Sequence, residues 1–287
     1  MSARSEGLLA RAGRPASAVT LDRRLPRAIV VTLLIGGYMA LGFAFGLGAN
    51  AYLLLGIPIT IAVQVLVVRQ PLRSLWLRGA PTLAFTRRSI AAVVILAIAP
   101  AIVALGGIRD GDIAVVGWGF AAMVGAVGAV YAGRAIDRDA VRSTIRASLI
   151  GGVVLVSIMI AYRLATGGFS GNVTAAIATS LISVATYLPA VFVMEEVLFR
   201  GLIDPYLHGS TPGPDRSTAL YGSALWGIWH LPVAFVTLGA LTVPYLIVVH
   251  TAIGYVLVAS RRRTGNLAAP GIAHAVIDAL RNAVAAL

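Results

Sequence analysis

The chain has no cysteine and no lysine, and charged residues of every kind make up only 12% of its 287 residues. Without cysteine there can be no disulfide, no thiolate nucleophile and no Cys-ligated metal. So little charge leaves too little solvating surface for a soluble domain, in which about a quarter of residues are charged. The period-2 alternation of a membrane β-barrel is missing as well, as are internal repeats and the helical HExxH signature of zinc peptidases. The first 27 residues carry six Arg but no clean apolar h-region and no A-x-A cleavage site, so residues 1–27 read as a basic cytosolic tail rather than a signal peptide.

Apolar residues fill the space: 59% of the chain, in runs of roughly 20 residues, each long enough to cross a ~30 Å hydrocarbon core as a helix. Helices satisfy their own backbone polar groups in lipid, so the expected fold is all-α, a polytopic transmembrane helix bundle. About eight to nine spans are expected. They lie near 28–48, 50–68, 89–108, 113–133, 149–167, 174–203, 218–238, 243–260 and 266–287. Residues 28–168 form an N-terminal set of spans with little chemistry, and 174–287 form a C-terminal set that carries it. Residues 134–148 read as an amphipathic surface helix or a charged connector.

The net charge of +12 is no nucleic-acid footprint, because the Arg residues sit between apolar runs rather than along one soluble face. Counting from the N-terminus, alternate connections hold Arg69 to Arg88, Arg134 to Arg146, Arg216, and Arg261 to Arg263, while the others hold only Arg109. By the positive-inside rule the N-terminus is cytosolic and the C-terminus outside, in a cell inner (plasma) membrane. Arg163 near a span end snorkels, and His208 in its loop is solvated.

Inside the C-terminal spans lie three of the four His and two adjacent Glu. Charge at mid-membrane costs about 2.5–3.5 kcal/mol on insertion scales, so such residues have partners and tasks. Glu196 and Arg200 are i and i+4, acid before base, and pair on one helix face. Glu195 points about 100° away and is left without a local partner, as a general base requires; a purely structural pairing of both Glu is the alternative. Trp226 and His230 share a face just before Pro232, which loosens the helix. His274 and Asp278 lie one turn apart, so Asp278 could orient the ring, accept its proton or bind substrate. His250 is expected to pack or hydrogen-bond between helices.

In order and spacing, EEVLFRG, ALWGIWHLP and ASRRRTGNLAAPGIAHAVID resemble the motif set of the CAAX-protease and bacteriocin-processing (CPBP) family of intramembrane endopeptidases, over roughly residues 185–282. The resemblance implies peptide-bond hydrolysis on a membrane-associated peptide or protein. It makes Glu195 the base that activates water, Glu196 and Arg200 its support, and His230 a second group on that water. His274 and Asp278 would stabilise the oxyanion. Trp226 stands where Phe is common in the family and Asp278 where Asn is common, and an ionised Asp repels an oxyanion where Asn would donate to it. Glu195, His230 and His274 could also ligate Zn²⁺, but the unpaired-Glu chemistry needs no metal and a glutamic-type mechanism is favoured. A non-catalytic immunity or partner-binding protein of the same fold is the alternative function. A transporter is disfavoured for want of repeated halves.

Overall fold

A computed structural model describes residues 16–169, 171–209, 215–238 and 242–287. The described elements are helical: α1 (Ala16–Ala44), α2 (Ala49–Ala62), α3 (Arg87–Asp110), α4 (Ile113–Gly133), α5 (Arg138–Thr166) and α6 (Val173–Val191), then α7 (Asp204–His208), α8 (Arg216–Trp229), α9 (Leu231–Leu238), α10 (Thr242–Thr264) and α11 (Ala268–Ala285). Two stretches are π-helical, Val63–Val68 after α2 and Phe192–Ile203 between α6 and α7, so that 173–208 runs as one continuous rod. Among the described residues the only extended pairing is an isolated bridge between Leu77 and Asn266.

Seven of these helices are long and apolar enough to cross a membrane. The expected spans at 218–238 and 266–287 are the two that differ. The first breaks at His230, between α8 and α9, and the second carries His274, Asp278, Arg281 and Asn282 along α11. Two boundaries also move. Helix α1 begins at Ala16, inside the stretch expected as a tail, whose residues 1–15 lie outside the description. Helix α5 begins at Arg138, capped by the Asp137 side chain on the Ala140 amide at 2.7 Å, so 138–148 is neither a separate surface helix nor a connector but the first turns of the span.

The outer faces of the long helices are apolar and bare. Ile95, Ile102 and Leu105 on α3, Leu149, Val153 and Leu164 on α5 and Leu181 on α6 are all more than 60% exposed, a belt that a soluble protein could not carry. The interior holds small residues and polar groups instead. Helix α4 presents Gly119, Ala122, Gly125 and Ala126 inward, and a Cβ at Gly125 would strike the Pro189 carbonyl of α6. Close helix approach through small residues is how membrane bundles gain packing energy. Helix α11 lies against α5, α6 and α10, and α8 lies against α10.

The Arg-bearing connections meet at one end of the bundle. Arg24 pairs with Asp215 at 3.2 Å, the Arg78 amide donates to Gly265 O at 2.8 Å, and Asn266 Nδ2 donates to Ala132 O at 2.9 Å. Gly265, at φ +66, makes the turn there that reverses the chain from α10 into α11. Arg262 ties the same end together, with Nη2 2.6 Å from Asp204 Oδ1 and 2.9 Å from Thr218 Oγ1.

Candidate active site

Four segments bring the site residues together: the π-helical stretch (Glu195, Glu196, Arg200), α8 and its end (Trp226, His230), α10 (His250) and α11 (His274, Asp278, Arg281). Glu195 lies nine residues before Asp204 and the Arg-bearing end, which places it roughly 10–14 Å below that edge. A π-helical segment is rare and frequently marks a functional position. Here it turns two consecutive carboxylates into the bundle. Gly271 completes the approach, since a Cβ there would collide with the Phe192 ring, so α11 can lie close enough for His274 to reach the π-helical stretch.

The two glutamates have different environments. Glu196 is fully buried, with Oε1 3.0 Å from Arg200 Nη1 and accepting from His274 Nδ1 at 2.8 Å. The Arg200 pair was legible from the i, i+4 spacing; the bond from His274, 78 residues on, was not. Among the described residues Glu195 forms no ion pair with an Arg, but it is not partnerless: Trp226 Nε1 donates to its Oε2 at 3.0 Å. One indole thus holds the carboxylate while its ring face takes the Arg200 guanidinium, 4.0 Å from the centroid, in a cation–π contact.

His230 sits where α8 ends. Its Nδ1 is 2.8 Å from Trp226 O, and because a carbonyl can only accept, Nδ1 carries the proton and donates. When the ring is neutral, this leaves the lone pair on Nε2, which faces Glu195 Oε2 3.7 Å away. Two acceptors facing one another across that gap define a place for a bridging water, which can donate to both. The break that positions His230 comes from Pro232, which has no amide to continue the ladder. Tyr52 of α2 donates to the Trp229 carbonyl at 2.7 Å, and Tyr38 of α1 donates to Tyr52 O at 2.6 Å. Tyr38, Tyr52, Phe199 and Trp229 pack tilted or edge-to-face at centroid distances of 4.8–5.5 Å, so the N-terminal helices buttress the site.

His274 faces carboxylates on both sides, Glu196 at Nδ1 and Asp278 Oδ2 3.6 Å from Nε2. Asp278 is held in turn by Arg281, 3.2 Å from its other oxygen. Arg281 is the group that sequence reasoning missed; the signal was an i, i+3 Asp–Arg spacing inside an otherwise apolar C-terminal helix. Its side chain is 41% exposed, whereas His230 and Glu195 are 19% and 11% exposed, so the cluster has an open side marked by Arg281. His250 was expected outside the site. It does pack and hydrogen-bond, with Nδ1 on Leu246 O at 2.9 Å, but its ring also lies 4.3 Å from that of His230 and 4.7 Å from Trp226. His208, expected in solvent, is half-buried at the Arg-bearing end.

Among the described residues no three His, Asp or Glu side chains converge in a way that could hold an ion. His274 is turned to Glu196 and Asp278 rather than to Glu195 and His230.

Residues 177–280 match the family model described as type II CAAX prenyl endopeptidase Rce1-like, a segment that contains every residue of the cluster except Arg281. No curated protein and no solved structure matches the chain.

Proposed function

With residues 177–280 resembling the CAAX-type membrane endopeptidases of the CPBP family, we propose that the chain hydrolyses a peptide bond in a membrane-associated protein or peptide, with Glu195 as the base that activates water. The observation that carries this reading is the approach of Glu195 Oε2 and His230 Nε2 to 3.7 Å in a buried site, two acceptors when the imidazole is neutral. A water donating to both has its oxygen free to attack a carbonyl carbon. As the C–O bond forms, Glu195 takes one water proton and the carbonyl oxygen becomes an oxyanion. When the C–N bond breaks, that proton passes to the leaving amine, so water is divided between the two products.

Trp226 positions the base through its Nε1–H, and Arg200 neutralises Glu196 so that a second bare carboxylate does not repel the developing charge. His274 Nε2, at 3.6 Å too far from Asp278 for a hydrogen bond, and the half-buried guanidinium of Arg281 are the nearby donors for the oxyanion. Asp278, bound to Arg281 and facing His274, acts as their holder rather than as an oxyanion ligand. That assignment suits an Asp where the resembling family commonly has Asn. Confinement of enzyme and substrate to the bilayer raises their encounter, and the dry site strengthens each of these contacts.

The test compares the membrane proteome of cells carrying the wild type with that of cells carrying Glu195→Gln, with terminal peptides sequenced. Uncut precursors should accumulate in the variant although its insertion is normal. An unchanged proteome would overturn the reading in favour of a non-catalytic immunity or partner-binding protein. A chelator arm addresses zinc: processing lost to chelation and restored by Zn²⁺ would overturn the glutamic-type mechanism.

A further inference from the structure

A second polar region lies at the Arg-bearing end, away from the glutamate–histidine cluster. A cavity of about 660 Å³ opens between α5, α8 and α10, within the size range of small-molecule sites. Its walls change character with depth. On α5 one face reads Ser143, Arg146, Ala147, Ile150, and on α10 the wall reads Ser260, Arg263 and then, two turns deeper, Val256 and Tyr255. Both helices therefore pass from basic to apolar in the same direction, and Arg216 at the start of α8 adds a third cation to the basic rim. Arg146, Arg216 and Arg263 are exposed and, among the described residues, pair with no carboxylate, whereas Arg262 beside them is consumed by Asp204. The buried Ser143–Ser260 hydrogen bond at 2.9 Å joins the α5 and α10 walls. Beside the cavity, Ile150 and Leu220 are 40% and 46% exposed, so its apolar depth adjoins the lipid-facing belt.

We propose that this cavity binds the phosphodiester headgroup of an anionic phospholipid, with the phosphate among Arg146, Arg216 and Arg263 and the acyl chains descending past Ile150 and Val256. Three guanidiniums without partners call for a ligand rich in phosphate oxygens, which Arg binds in bidentate fashion. The apolar wall beneath them calls for a ligand with a hydrocarbon tail, which free phosphate lacks. Basic pockets between membrane helices are where anionic headgroups lodge.

The test uses the full chain in nanodiscs of phosphatidylcholine doped with phosphatidylglycerol of the same acyl chains, with the lipids retained after extraction read by native mass spectrometry. The wild type should retain phosphatidylglycerol at least about tenfold over phosphatidylcholine, and the triple variant Arg146→Gln/Arg216→Gln/Arg263→Gln should lose that preference. A control triple, Arg69→Gln/Arg87→Gln/Arg88→Gln, removes equal charge elsewhere at the same end and should keep it. Equal retention by both triples would overturn the proposal. Displacement of the lipid by millimolar inorganic phosphate would overturn the lipid assignment in favour of a soluble-phosphate site. Should the first triple fail to fold, a photoactivatable phosphatidylglycerol decides on wild-type protein: labelling of the α5 and α10 peptides around Ile150 and Val256 supports the site, and labelling elsewhere overturns it.

Discussion

At the scale of single residues, Trp226 is the hub of the cluster. Its Nε1–H reaches Glu195, its ring face takes Arg200, and its ring lies 5.2–5.5 Å from those of His274 and His230. Trp226→Phe keeps an aromatic ring but removes the donor. Turnover should fall roughly tenfold to a hundredfold, the worth of a hydrogen bond to a charged group, and thermal stability in detergent should fall too, because the smaller ring leaves a void and an unsatisfied carboxylate. Asp278 and Arg281 make a sharper pair. On the proposed mechanism, Arg281→Gln leaves the Asp278 carboxylate near the substrate carbonyl without its cation, and processing should drop steeply. Changing both, Asp278→Asn with Arg281→Gln, removes the uncompensated charge and should restore part of the loss. A double variant no better than Arg281→Gln alone would show that Arg281 does not serve through Asp278.

Among elements, the π-helical stretch and the break after α8 do the positioning, and both depend on neighbours distant in the chain. The break leaves the Trp229 carbonyl for Tyr52 of α2 to satisfy. Tyr52→Phe should lower stability by about 1 kcal/mol, read as a lower midpoint of thermal unfolding, and should also reduce turnover because His230 follows directly on Trp229. Loss of stability with full turnover would limit Tyr52 to a packing role. Motif spacing in α6 to α11 exposed Glu195, Glu196, Arg200, His230 and His274 because intramembrane charge is rare enough to stand out. It could not expose His250 as a wall of the site. A histidine with its Nδ1 on the carbonyl one turn back looks self-satisfied within its own helix, and only the packing of α10 on α8 brings its ring to Trp226.

Over the whole molecule, the Arg-bearing connections gather at one end, joined by the contacts among Arg24, Arg78, Asp204, Asp215 and Arg262. The positive-inside rule predicts that this end is the cytosolic one. Reporter fusions test it: one placed at residue 137, between α4 and α5, should report cytosol, and one placed at residue 111, between α3 and α4, should report the opposite side. The reverse pattern would place the candidate site nearer the outer face and make the substrate approach from there.

Composition and hydropathy determined the class of this protein, because a chain so apolar and so poor in charge has no other way to satisfy its backbone than a bundle of membrane helices. Spacing along single helices determined the Glu196–Arg200 pair and the candidacy of Glu195, since those relations are local. The remaining relations were decided by tertiary structure alone. Trp226 and Glu195 are 31 residues apart, His274 and Glu196 are 78 apart, and Tyr52 and Trp229 are 177 apart. Contacts of that separation depend on which small-residue faces let helices approach, at Gly125 and Gly271 above all, and periodicity within one helix carries no record of what lies across from it.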